Sequence, residues 1–274
     1  MLEGRNREPV VRAGTGRRLG PYRACARSRW AETRCLCADG ISQLPDGQIY
    51  AGYRQSLHHT ETLDGFRVRR VPLYASHDQG AVRRGLNYAS FSISAGLLGQ
   101  GALSDHDALW VYNSPATVSI VADRARRRRG VPFLLHLMDV WPDSVTESGM
   151  LDTPSLNRLA RRMLAVLVDR GDDGASAIAV TSPGQRDLLL ARGVPACKLE
   201  YCSVWSDERV FFPRPADRTV LPEQVRDADT VLMYAGALGH VQGLDAAVRA
   251  AVAVRDIGLH LVLVGSGIAE EGLR

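Results

Sequence analysis

Two hydrophobic periods alternate along the chain: short apolar runs bounded by glycine, proline and polar turns, and longer stretches whose apolar residues return every three or four positions. From Phe66 to Tyr74, FRVRRVPLY alternates as a strand does. Arg83 to Gly101 spaces Leu86, Tyr88, Phe91, Ile93, Leu97 and Leu98 as a helix would, with basic residues at its front. ALWVYN, Ala108 to Asn113, predicts a strand, and Asn113, Ser114 and Pro115 predict the cap and first-turn proline of a helix running to Arg129. Gly130 and Pro132 introduce PFLLHLMDVWPDS, whose apolar run is too short to span a membrane and predicts a buried parallel strand. Pro154 to Asp172 sets Leu156, Leu159, Ala160, Met163 and Leu167 on one face of an amphipathic helix. Ala177 to Ser182 predicts a strand, Thr181 to Gly184 the start of a helix over Gln185 to Arg192, and Gly193 its end. Leu199 to Trp205 closes this half. Ser206 to Thr230, rich in Pro, Asp and Arg, reads as a crossing between domains. Strand (Val231–Gly236), helix (Leu244–Arg255) and strand (Leu259–Val264) follow, and the final residues begin another helix.

This alternation predicts an α/β class with parallel sheets and a second Rossmann-like unit, incomplete, from near Thr230. The predicted division is a disordered or non-native segment over 1–42, an N-terminal Rossmann-like domain over 43–205, and a partial C-terminal domain over 206–274. Met1 to Ser42 is set apart because it is rich in Arg and Gly and shows neither period. Its other reading is a basic arm for nucleic acid or lipid headgroups. From Leu44 the text changes, opening on a Pro-Asp-Gly turn.

Composition adds bounds. With 274 residues, 45% of them hydrophobic, the chain can bury more than one core. The net charge of +4 comes almost wholly from arginine, because Lys198 is the sole lysine. Such a balance suits phosphate-bearing partners or anionic lipid without selecting either, and no nucleic-acid partner is expected. Arg124 and Arg126 to Arg129 sit where a helix dipole favours positive charge, which leaves open a solvated end or a lipid-facing patch. Arg83 to Leu98 is open in the same way, between packing on the sheet and lying on a membrane surface. Five cysteines form an odd set without metal-site spacing, as in a protein with reduced thiols. With no apolar run of membrane-spanning length and no apolar signal core, a cytoplasmic protein is expected, with weak contact at the inner face of the cell membrane.

Ligands of open α/β sheets gather at the carboxyl ends of strands. His136 and Asp139 lie at the end of the central run, Trp141, Asp143 and Ser144 in the loop beyond it, and Asn113 at the end of the preceding strand. In YAGALGHVQGLD, Gly236, Gly239 and Gly243 would let backbone N–H groups approach a phosphate at a helix N-terminus. VGSG is a second glycine turn. With Glu270, Gly265 and Gly267 could pass for the dinucleotide fingerprint of an oxidoreductase or epimerase, but they follow the last strand rather than the first.

The stretches PDGQIYAGYR, HLMDVWPDS followed by SGML, TSPGQRDLLLARGVP and YAGALGHVQGLD resemble family 4 glycosyltransferases, in particular bacterial enzymes of capsule, exopolysaccharide and O-antigen assembly. The likeness runs from about Leu44 to Arg274. It implies a GT-B fold of two facing Rossmann units, with a nucleotide sugar, UDP-linked, held by the C-terminal one. A lipid-linked or polysaccharide acceptor would be held by the N-terminal one. Transfer would retain the anomeric configuration without metal or cofactor. Carried onto this chain, the resemblance makes His136 and Asp139 catalytic, with His136 matching the family histidine that ends its strand and contacts the donor sugar. It assigns Gly236, Gly239, His240, Gln242, Gly243, Gly265 and Gly267 to the donor, and Asn113, Trp141 and Asp143 to the acceptor. N–H groups from Gly236 to Gly239 would stabilise the leaving phosphate. For several of these residues a structural alternative stands: a core histidine at His136, helix capping by Asp139 or Asp143, and edge filling by Trp141. The chain also departs from the family. Met1 to Ser42 offers no counterpart to the usual first strand and glycine-rich loop, His240 and Gln242 stand where many relatives carry a basic residue, and the half-domain with paired glutamates does not follow. A fragment is therefore expected, and a non-catalytic remnant is the alternative.

Overall fold

The computed structural model describes residues 10–11, 36–40, 49, 53–57, 59–63, 66–76, 81–103, 105–146, 154–215, 217–226, 230–239, 242–267 and 269–273. The chain divides into two compact units, Met1–Asp207 and Glu208–Arg274.

Unit 1 is built on an eight-stranded sheet. Its strands are β1 (Val10–Val11), β2 (Leu36–Gly40), β3 (His59–Leu63), β4 (Phe66–Val71), β5 (Leu109–Asn113), β6 (Phe133–Leu137), β7 (Ala177–Val180) and β8 (Leu199–Tyr201). They lie in the order β3-β4-β2-β1-β5-β6-β7-β8, and every neighbouring pair is parallel except β3 with β4. The chain builds outward from β1 on one side and resumes at β5 on the other. The junction of β1 and β5 is thus the topological switch point, where open α/β sheets bind ligands.

This order corrects the reading of Met1 to Ser42. Two of its stretches are strands, and Val10–Val11 takes the central place between β2 and β5. The physical reason is that a parallel strand needs only a few apolar residues once its neighbours supply the ladder; a two-residue strand carries no period of its own. The turn expected at Pro45 to Gly47 lies outside the described residues.

Among the described residues, unit 1 also holds the α-helices α1 (Ala81–Leu98), α2 (Gln100–Leu103), α3 (Val118–Arg129), α4 (Asp143–Thr146), α5 (Pro154–Gly174) and α6 (Pro183–Ala191). Helix α1 packs on α3, and α3 on α5. The core beneath them takes Leu109 and Val111 from β5, Phe133, Leu135 and Leu137 from β6, Ile178 and Val180 from β7, and Phe91, Val121 and Leu189 from the helices. Close approach of α5 to α3 depends on two glycines: a Cβ on Gly171 would lie 2.8 Å from Ser119 Oγ, and one on Gly174 would lie 3.0 Å from Asp123 Oδ1. At that contact the buried Asp123 accepts hydrogen bonds from Arg126 (2.8 Å), Arg127 (2.8 Å) and Arg170 (3.1 Å).

Two element boundaries differ from the sequence reading. Pro115 is outside α3, joined to Ser114 by a cis peptide bond, and the helix begins after Thr117 once the turn Val118 N–H to Pro115 O is made. The strand from Phe66 stops at Val71, because Pro72 has no N–H and the Leu73 N–H is taken by Gln55 Oε1 at 3.2 Å.

Unit 2 holds the parallel pair β9 (Thr230–Ala235) and β10 (Leu259–Val264), with α7 (Leu244–Ala253) between them and α8 (Glu270–Leu273) after.

Candidate functional site

The carboxyl ends of β5, β6 and β7 bring together groups far apart in sequence. Asn113, the last residue of β5, is buried and its Oδ1 accepts no hydrogen bond. Ser114 follows, and its hydroxyl donates to Asp139 Oδ2 at 2.8 Å across the gap to β6. Asp139 is exposed, just past the end of β6, with its carboxylate oriented by that hydroxyl.

The loop beyond Asp139 is clamped from two sides. Gln185 of α6 donates to Met138 O at 3.4 Å, while its Oε1 accepts from the Thr181 N–H (2.8 Å) and hydroxyl (3.0 Å). Arg192, capping the end of α6, donates to Trp141 O at 2.9 Å and pairs with Asp143, which Arg161 of α5 also holds at 2.7 Å. Asp143 is the first residue of α4. Both of its carboxylate oxygens are engaged by guanidinium groups, a role different from the helix capping the sequence reading offered. Trp141 likewise is buried, with its ring edge-on to Tyr88 at 6.1 Å between centroids.

His136 is the penultimate residue of β6. It is 0% exposed and forms a three-ring cluster with Trp110 (5.6 Å) and Trp205 (5.5 Å), which also meet each other at 5.8 Å, with Tyr112 alongside. Burial pushes its pKa down, opposed in part by the nearby backbone of Cys202, and neither ring nitrogen makes a hydrogen bond of full geometry.

In unit 2 the glycines turn out to serve each other. A Cβ on Gly265 would lie 1.8 Å from Gly236 O, and one on Gly267 would lie 2.2 Å from Leu238 O. The two glycine turns are laced by Gly236 N–H to Val264 O (2.9 Å) and Leu238 N–H to Ser266 O (3.0 Å). This corrects the expectation that N–H groups throughout Gly236 to Gly239 await a phosphate: those of Gly236 and Leu238 are already paired. Gly239 faces the Gln242 side chain, whose Oε1 would be 2.6 Å from a Cβ there. Gly243, at φ 60°, precedes α7 in the left-handed conformation glycine adopts without strain. His240 lies outside the described residues.

Residues 9–205 match the model of a family described as the glycosyl transferase 4-like domain. The chain belongs to this family. Among curated proteins it resembles WcaI of Escherichia coli (strain K12), named for glycosyl transfer in colanic acid biosynthesis, with 25% identity over 275 residues, covering 97% of this chain and 65% of WcaI. Solved structures with a similar fold include OtsA in its apo form (TM-score 0.64, 12% identity, 97% of this chain and 67% of that one). Another is Anabaena HepE in complex with UDP and glucose (TM-score 0.56, 15% identity, 96% of this chain and 63% of that one). The chain thus spans about two thirds of the length of these relatives.

The glycosyl transferase 4-like match begins at residue 9 and so takes in β1 and β2, which the sequence reading had left outside. The glycines that could pass for a dinucleotide fingerprint, Gly265 and Gly267, lie beyond the match and serve to lace two turns. Gln185, Arg161 and Arg192 are the residues sequence reasoning missed. Arg161 sits in a helix read for its apolar face and Gln185 and Arg192 in one read from its ends, and no local spacing announces a partner 18 to 49 residues away.

Proposed function

We propose that this chain carries acceptor-binding and donor-binding parts of a retaining, metal-independent glycosyltransferase. It would move a sugar from a UDP-linked donor to a lipid-linked or polysaccharide acceptor of exopolysaccharide assembly, at the inner face of the cell membrane. Unit 1 would hold the acceptor and unit 2 the nucleotide sugar. The observation that carries the reading is the family match over residues 9–205, which includes the ordered edge at Ser114 and Asp139. The UDP bound by HepE supports the choice of donor.

In this reading Asp139, the exposed carboxylate at the switch-point side of the sheet, orients an acceptor hydroxyl. Ser114 fixes its direction, and His136 is a positioning residue that fills the space beneath the edge. Leaving-group charge would be met in unit 2 by N–H groups near Gly239 and Gly243 rather than by those of Gly236 and Leu238.

The test is a transfer assay with radiolabelled UDP-sugars and a membrane-lipid extract, run with and without chelator. Transfer unaffected by chelator, product of unchanged anomeric configuration, and a loss of about a hundredfold in Asp139→Asn are expected. His136→Phe, which keeps the ring volume, should retain turnover within about threefold. The proposal fails if no UDP-sugar is bound or transferred; full activity in Asp139→Asn removes that residue from the site, and loss of turnover in folded His136→Phe returns the imidazole to the chemistry.

A further inference from the structure

Four large apolar side chains on the outer face of α1 stand open to solvent: Val82, Leu86, Ile93 and Leu97 are 52% to 76% exposed. At about 100° per residue they fall within an arc of about 60°. Phe91 and Ala95 enter the core on the opposite side of the helix. The surface helix of a globular domain ordinarily carries polar groups where this ridge lies. A second row stands on α5, where Leu159, Met163 and Val166 are 56% to 69% exposed. Exposed Ile120 of α3 lies between the two rows, since α1 packs on α3 and α3 on α5. The helical layer therefore presents an apolar outer surface broader than a single helix, beyond what scattered surface residues explain.

Charge narrows the occupant. Helix α1 contains no acidic residue, and α5 contains none before Asp169. Their charged residues over these stretches are Arg83 and Arg84 on one and Arg158, Arg161 and Arg162 on the other; Arg84 turns to the core side and bonds Tyr88, and Arg161 is paired with Asp143, so Arg83, Arg158 and Arg162 set the charge of the outer face. Asp123 of α3 is buried and spent on three arginines. A second copy of the chain docking by this face would set arginine against arginine. A bilayer of anionic lipid offers phosphate above hydrocarbon, matching a ridge of aliphatic groups flanked by guanidinium.

We infer that the outer face of α1, α3 and α5 is an interfacial docking surface for anionic phospholipid, with the α1 ridge entering the headgroup region. This deepens the peripheral placement proposed above and rests on it, but not on glycosyl transfer. Lipid binding is read without donor or acceptor, so its failure and the failure of the transfer reaction are told apart.

The experiment is flotation of the full chain with vesicles of phosphatidylcholine alone and of phosphatidylcholine mixed with phosphatidylglycerol. Binding to the mixed vesicles that declines as salt is raised is expected, with little binding to the neutral ones. Leu86→Glu with Ile93→Glu should weaken it about tenfold or more. Both positions are exposed, so circular dichroism should show the fold unchanged. Leu232→Glu, at an exposed position of β9 in the other unit, should leave binding as it was. Equal flotation with both vesicle types, undiminished binding by the Leu86 and Ile93 variant, or equal loss in Leu232→Glu would each overturn the inference.

Discussion

Asp172, in the last turn of α5, has its pKa raised to about 7, first because burial strips water from the carboxylate and then because Asp169 repels its charge. Its ordinary value is 3.8, so between that and about 7 the folded chain binds more protons than the unfolded one. The stability Asp172 contributes is full at low pH and is lost as pH rises through 7. His136 works in the opposite sense: its lowered pKa costs stability as pH falls through 6.5. Asp172→Asn isolates the first effect. Its thermal midpoint relative to wild type should climb from pH 4 to 7 and then level, at no more than about 1.4 kcal/mol per pH unit. A midpoint difference independent of pH would show that the carboxyl is not protonated in the fold. Asp123 is the contrasting carboxylate. Burial alone would raise it, yet hydrogen bonds from Arg126, Arg170 and Arg127 hold it below the usual range. Removing it leaves those arginines without their shared acceptor, so Asp123→Ala should cost roughly 2–3 kcal/mol in urea unfolding.

At the scale of elements, α6 shows how one helix can fix a loop it does not contain. Ser182 caps it by accepting from the Gln185 N–H at 3.2 Å, which should make Ser182→Ala cost about 1 kcal/mol. From that fixed start Gln185 reaches Met138, and from its end Arg192 reaches Trp141 and Asp143. The loop carrying Asp139 is thus held from both ends of one short helix. Arg192→Ala should speed amide exchange over 138–143 by about tenfold or more while the β4 and β5 amides exchange as before, because local opening is governed by local bonds. Exchange unchanged in that loop would show that Arg192 does not hold it.

At the scale of the whole molecule, the two units should report separately. Trp30, Trp110, Trp141 and Trp205, the 4 tryptophans, all belong to the unit Met1–Asp207. A methyl group on Gly265 would meet Gly236 O at 1.8 Å, so Gly265→Ala must force β10 away from the turn after β9. We expect the variant to lower the denaturant midpoint of unit 2 as seen by circular dichroism, while tryptophan fluorescence, which senses unit 1, keeps its midpoint. Equal displacement of both transitions would mean that the units unfold as one.

Much of this was legible in the chain itself. The run FLLHL predicts a buried parallel strand because both faces of such a strand are covered, and β6 is that strand. Apolar spacing likewise located α1 and α5 to within a few residues, since one face of each must reach a core. The glycine clusters marked the turns after β9 and β10, though not that they are spent on each other. Tertiary structure alone decided the rest. Val10–Val11 and Leu36–Gly40 are strands only because neighbouring strands supply their hydrogen-bond partners, which no local period encodes. The pairing of Ser114 with Asp139, the hold of Arg192 on the loop, and the clustering of His136 with Trp110 and Trp205 depend on where distant segments end in space. Hydrophobic burial acts on a pattern repeated along the chain and can be read from it, whereas a single polar contact between remote residues leaves no repeat to read.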